Sequence, residues 1–456
     1  TVLAKIKPVN NEMPAVVTAV NPQSAAILLA DETVATIPWA GLSWAAPAWK
    51  DGLVGRKPKK ASDVLHPGDV IWVIHNNKQW SLAQAPIVQG AVVSINPQNG
   101  AVEVMKGGYD FLVSNFNRVT QAKRQPGSNF KPFIYSAALA KGYTLATVIN
   151  DAPVVMKDTG ENELWRPQND NLTFNGPTRL RVGLTKSRNL VSIRLLQDVT
   201  IPYTINYLRR FGFHSDQLPH SLSLALGSAS ESPLQMARGY AVIANGGYQV
   251  KTYGIESIKN QSSEVIYQAK PATACVACLT QAVVKDTDLP EVMAPQVITP
   301  QNAYLITQAL QGVIQTGPGR QAKVLHRSDL AGKTGTTNKQ VDAWFSGFNS
   351  QLVTTVWVGY DDLTSLHEYG SKVALPIWID FMRQALAGKP LETMPEPSGL
   401  IQVRIDPSNG LLARPGQGGA IFETFRQAYA PTRYSPAHNP VAMSDGIQQA
   451  DEQPLF

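Results

Sequence analysis

From residue 14 to about residue 85, apolar and polar positions alternate in short runs at 15–20, 25–30, 34–38, 70–75 and 80–85. A period of two is the mark of half-buried strands. Turn chemistry separates them, including Asn21-Pro22 and Pro67-Gly68-Asp69. The spacing predicts a small all-β domain over residues 1–86, a barrel of the OB kind. A Trp-, Pro- and Lys-rich stretch without period, residues 39–63, interrupts the strands and reads as a long loop with a binding role or as disorder.

The pattern changes at residue 87. Runs at 90–95 and 101–105 around Asn96-Pro97-Gln98-Asn99-Gly100 predict a hairpin. A helix follows over 128–141 and stops at Gly142. Ser232-Pro233-Leu234-Gln235 has the form of a capping box with Pro at the first helical position. The helix it opens ends at Asn245-Gly246-Gly247, a left-handed stop. A further helix is expected over 302–315, then three strands at 330–336, 343–348 and 352–360, then a helix over 376–386. Helices between two groups of strands predict an α+β domain over 87–395, an antiparallel sheet flanked by helices. Residues 396–431 are expected to form an extension with a hairpin of 400–405 against 411–413. The polar stretch 432–456 reads as a tail that is mostly disordered or draped on the surface.

Composition adds little to this picture. At 456 residues the chain exceeds one hydrophobic core, so two or three domains are expected. A net charge of +6 is mild for this length and allows weak attraction to anionic polymers or head groups. No Lys/Arg run with interleaved aromatics supports nucleic-acid binding. No run reaches the length of a membrane span, and the chain starts at Thr1 without a signal segment. It therefore reads as a soluble piece of a longer protein.

The two cysteines, Cys275 and Cys278, are too few for a structural zinc site and read as a loop disulfide or two free thiols. The seven histidines show no metal-ligand spacing, so neither metal nor cofactor is expected.

Three motifs carry the candidate chemistry. In the first, Ser128 opens a helix and Lys131 lies one turn later on the same face. A lysine activates a serine hydroxyl only if burial or a neighbouring cation lowers its pKa. Taken alone, the pair reads as a helix cap followed by a solvated lysine, the usual fate of that spacing. In the second, Ser187-Arg188-Asn189 can relay a proton and bind a substrate carbonyl, or can simply cap the next helix. The third, Lys333-Thr334-Gly335-Thr336, supplies the cation, and its two threonine hydroxyls share one face of a strand. A phosphate-binding loop would need glycine at position 327, which is Arg327.

In this order the motifs match the S-x-x-K, S-x-N and K-T-G set of penicillin-binding proteins and serine β-lactamases. The segments Arg124-Gln125-Pro126-Gly127-Ser128-Asn129-Phe130-Lys131-Pro132-Phe133, Leu224-Ala225-Leu226-Gly227-Ser228 and Gly332-Lys333-Thr334-Gly335-Thr336-Thr337-Asn338 resemble class A penicillin-binding proteins. The resemblance implies the transpeptidase fold of that family and a peptidoglycan DD-transpeptidase. Ser128 would be the nucleophile, Lys131 the base, Ser187 and Asn189 the relay and substrate binder, and Lys333 an electrostatic element. The N–H groups of Ser128 and Thr336 would form the oxyanion hole. Thr334, Gly335 and Thr336 would bind substrate.

The same resemblance implies stem peptides with a D-Ala-D-Ala donor and an amine acceptor as substrates, β-lactams as inhibitors, and a lipoprotein activator at the OB-like domain. It also implies a periplasmic site of action, with membrane anchoring only through an N-terminal region that this chain does not include. The motifs leave open a DD-carboxypeptidase or serine β-lactamase, where water accepts the acyl group. They also leave open an inactive scaffold or sensor.

Overall fold

The computed structural model describes residues 3–47, 54–76, 79–157, 164–280, 285, 287 and 289–436. The N-terminal strands lie where alternation placed them: Met13–Asn21, Ser24–Leu29, Val34–Pro38, Val70–Asn76 and Gln79–Ala83. They form one antiparallel sheet in which the third, second, first, fourth and fifth follow in spatial order. Ala15, Val17, Ala25, Ile27, Ile37 and Val73 point inward and share a core of their own. A register shift between Val17 and Ala19 bends the first strand. The bent sheet curls until the third and fifth strands meet. In the long loop, buried Leu42 and Ala61 tie both ends to this core. Its middle, residues 48–53, lies outside the described residues.

Hydrogen bonds join this domain to the next. Tyr109 donates to Glu12 at 2.6 Å, and the Asn10 amide donates to Asp110 at 2.7 Å.

The larger domain is built on a five-stranded antiparallel sheet. Its spatial order is Ala331–Thr336, Asp342–Phe348, Val353–Gly359, Gln89–Ile95 and Val102–Lys106. Both faces are covered, so its central strands are apolar on both sides. Trp344 and Phe348 face a core with the helices Lys131–Ala140, Asn189–Val199, Pro233–Ala244 and Pro300–Gln315. Ala343 and Phe345 face the opposite core with helix Gly370–Ala385. Ser232 caps its helix by accepting from the Gln235 amide at 3.1 Å. The reciprocal half of the box is absent, because the Gln235 side chain donates to Phe211 instead.

Three expectations change. The last helix begins at Gly370, six residues before Pro376, which lies inside it. Its start is fixed by a tertiary contact, the Gly370 amide donating to Thr336 Oγ1 at 3.0 Å, which local pattern does not reveal. The C-terminal strand Leu400–Ile405 pairs along its whole length with Ile421–Arg426, and the expected pairing with 411–413 is confined to its end, at the Ile405–Leu412 bridge and the Ala413 amide donating to Arg404. Asp406 holds the intervening loop by accepting from Ser408, Gln417 and Ser435. Ser435 is fully buried and Tyr434 bridges to Leu412, so the chain stays docked past residue 432. The remainder of the expected tail, 437–456, lies outside the described residues. Of the two cysteine readings, the structure has the disulfide between Cys275 and Cys278.

Candidate active site

A short 3-10 turn, Gly127–Phe130, leads into helix Lys131–Ala140 and presents Ser128 at the junction. Gly127 has φ +55°, and a Cβ there would lie 2.5 Å from the Thr336 carbonyl oxygen. A Cβ on Gly335 would lie 2.3 Å from the Pro126 oxygen. Two backbones therefore run in contact beside Ser128, an approach only glycine permits.

Lys131 is fully buried within its helix. Its Nζ donates to the Ser187 carbonyl at 2.8 Å and to Asn189 Oδ1 at 2.6 Å, with Ser187 Oγ at 3.4 Å. Lys333 is buried on its strand, and its Nζ donates to the same Ser187 Oγ at 2.9 Å. Ser187 reaches both amines because it occupies a left-handed conformation, φ +59°, in the link between helices Leu180–Thr185 and Asn189–Val199. Loss of hydration pulls the Lys131 pKa down to about 7, against the opposing pull of Asp170 and Asp151. Burial, with Lys131 second, holds Lys333 well below the ordinary lysine range.

Asn129 ties the elements together from beneath. Its amide donates to the Lys333 carbonyl at 2.7 Å and its oxygen accepts from Ser346 at 2.8 Å. Tyr240 donates to the Asn129 carbonyl at 2.7 Å.

Ser128 borders two lobes of a cleft. One, about 220 Å³, is lined by Ser187, Thr334 and Thr336. The other, about 500 Å³, is lined by Trp165, Asn169, Asn189 and Lys339. Asp170 and Tyr369 border both. A larger cavity of about 840 Å³ lies away from the motifs, by Asn245 and Ser350. Size alone would have chosen it.

The structure thus brings together Ser128, Lys131, Ser187, Asn189 and Lys333, with Thr334 and Thr336 at the cleft wall. Gly335 faces the other way, packed on Pro126 and Asn129. Sequence reading missed Asp151, Asn169 and Asp170, which lie in segments without periodicity. The Asn and Asp density of residues 169–171 was the one available signal.

Residues 90–383 match the model of the penicillin-binding protein transpeptidase domain, and residues 1–88 match that of the penicillin-binding protein OB-like domain. Penicillin-binding protein 1A of Pseudomonas aeruginosa is 43% identical over 450 residues, covering 92% of this chain and 55% of that protein. The Escherichia coli protein of the same name is 40% identical, covering 92% and 57%. The crystal structure of penicillin-binding protein 1A from Haemophilus influenzae superposes with a TM-score of 0.85 at 37% identity, covering 95% of this chain and 65% of that one. The chain spans a little over half the length of the curated relatives it matches. On fold, motifs and similarity, this chain belongs to the penicillin-binding protein family.

Proposed function

We propose that the chain is a peptidoglycan DD-transpeptidase acting through a Ser128 acyl-enzyme. The observation that carries this reading is the Ser187 hydroxyl held between two buried lysines in a cleft that Ser128 also lines. A lysine with a pKa near 7 is neutral often enough to take the Ser128 proton at working pH.

Ser128 Oγ attacks the carbonyl of the D-Ala-D-Ala bond as its proton passes to Lys131. The oxygen would gain charge against the N–H groups of Ser128 and Thr336, and Gly127, the residue before Ser128, packs on the Thr336 backbone. The C–N bond then breaks, and the proton travels through Ser187 to the departing D-Ala amine. An acceptor amine of a second stem peptide attacks the ester, loses its proton by the reverse route and frees Ser128. Asn189 holds Lys131 through its side-chain oxygen and lines the larger lobe, its two side-chain N–H groups taken by Gln168 and Asp170. Thr334 and Thr336 would take the substrate carboxylate, with Lys333 behind them. Gly335 contributes main chain to the same strand.

A β-lactam would follow the same first step and remain as an ester. The OB-like domain would serve as the docking site of a lipoprotein activator. The reaction would take place on the periplasmic side of the membrane, where this protein's substrate is assembled. Among the described residues, no helix is long and apolar enough to cross a membrane.

The test is product analysis by mass spectrometry after incubation with uncross-linked peptidoglycan strands bearing D-Ala-D-Ala stems. Cross-linked stem dimers with release of D-Ala support transpeptidation. Release of D-Ala without dimers makes water the acceptor and overturns it.

A further inference from the structure

None of the three motifs contains a carboxylate, yet two carboxylates stand behind them. Asp151 ends strand Val148–Asp151 and is fully buried. It accepts from Arg188 Nε and Asn169 Nδ2, each at 2.8 Å, and from the Asn175 amide at 3.0 Å. These bonds pin both ends of the 169–175 loop to the second motif. Asn169 Oδ1 in turn accepts from the Asn189 amide N–H at 2.8 Å.

The next residue, Asp170, accepts from Asn189 Nδ2 at 3.0 Å, and the other end of that side chain, Oδ1, holds Lys131 Nζ at 2.6 Å. One amide thus links a carboxylate to the amine beside Ser128. With its nitrogen donating to Asp170 and to the Gln168 carbonyl, the Asn189 oxygen has a single direction left, toward Lys131.

We propose that Asp170 is a positioning residue for acylation of Ser128: it fixes the Asn189 amide and supplies the negative charge that balances the two buried lysines. The inference rests on reading Lys131 as the proton acceptor. The charged groups acting on Lys131 and Lys333 are each other, Asp170, Asp151 and Arg188. Arg188 and Asp151 form a buried ion pair and largely offset one another. Asp170 is left as the carboxylate that favours the protonated amines, against burial and their mutual repulsion. The two amines act on the same hydroxyl and titrate as a pair. Without Asp170 that titration moves to lower pH.

The experiment is the second-order rate constant for acylation by a fluorescent penicillin, measured between pH 5 and pH 9 on the chain and on Asp170→Asn, Asp170→Ala and Asp170→Glu. Asp170 is exposed, so none of these changes opens the core. Asp170→Asn keeps an acceptor for Asn189 and removes the charge, so its acid limb should move down by about half a pH unit or more. Asp170→Ala also frees the amide, so its plateau should fall about tenfold or more. Asp170→Glu should restore the midpoint. A midpoint unmoved in all three, with Ser128 still acylated, overturns the role of Asp170 alone. Absence of acylation in the unaltered chain overturns the proposed function and this inference together.

Discussion

Lys131 and Lys333, 202 positions apart in sequence, meet at one hydroxyl: Ser187 Oγ lies 3.4 Å from the first amine and 2.9 Å from the second. Two ammonium groups this close in a buried site repel each other, and burial already disfavours either charge. The pair therefore gives up a proton far more readily than lysine in water.

The first consequence is a pH profile. The reading needs Lys131 neutral to accept the Ser128 proton. Its pKa is depressed, so it is protonated and inactive below about 7 and competent above. Acylation by a penicillin should rise with pH and reach half its plateau near pH 7. A stopped-flow series between pH 5 and pH 9 checks this, and a half-maximal point above pH 9 would contradict the depressed lysine.

Removing the shared hydroxyl isolates the relay. Ser187→Ala should reduce acylation by about 10²–10⁴-fold while the fold persists, because only one oxygen is lost. Rates with a fluorescent penicillin, read beside the melting temperature, separate chemistry from folding. An acylation rate within threefold of the unaltered chain would remove Ser187 from the mechanism.

Backbone contact at the nucleophile gives a steric test. Gly127→Ala places a methyl 2.5 Å from the Thr336 oxygen at φ +55°. The two backbones must part, so acylation should fall by about 10²-fold, with a stability loss of about 1–3 kcal/mol. Rate and urea midpoint together report both effects.

Glu231 offers a test of stability against pH. It is buried, pairs with Arg124 only through backbone, and burial lifts its pKa to about 7 from an ordinary 4.5. With the folded pKa raised, the native state binds the extra proton between pH 4.5 and pH 7. Stability is therefore lost as pH rises through that window and stays low above it. Glu231→Gln should raise stability at pH 8 by about 2 kcal/mol and change it little at pH 4.5. Urea unfolding at the two pH values measures the difference.

The C-terminal extension is tied to the second motif by charge. Glu423, buried, faces Arg179 at 3.2 Å and Arg181 at 2.5 Å, and Arg181 lies in the helix that leads to Ser187. Glu423→Leu leaves two guanidinium groups without their carboxylate and should cost about 3–5 kcal/mol. Acylation should slow as well, because the start of that helix loses its anchor. Unchanged unfolding and unchanged rate would make the extension an appendage.

Much of this was legible in the chain. Period two located the strands of the N-terminal domain, short apolar runs located those of the central sheet, which is covered on both faces, and Ser232-Pro233 and Asn245-Gly246-Gly247 marked the ends of a helix by local chemistry. The motif order was enough to group Ser128, Lys131, Ser187, Asn189 and Lys333. What local pattern missed is fixed by distant contacts. Gly370 starts a helix because it meets Thr336, and Ile421–Arg426 pairs with Leu400–Ile405 across a loop held by Asp406. Asp170 escaped notice for the same reason: its importance lies in one hydrogen bond to Asn189, 19 residues away in an aperiodic loop.

The most direct test of the central claim is the intact mass of the chain after incubation with a penicillin, with Ser128→Ala alongside. The account predicts one stable adduct of the mass of the drug on the unaltered chain and none on the variant. An adduct that survives in Ser128→Ala, or no adduct on either, would contradict an acylating serine at this position.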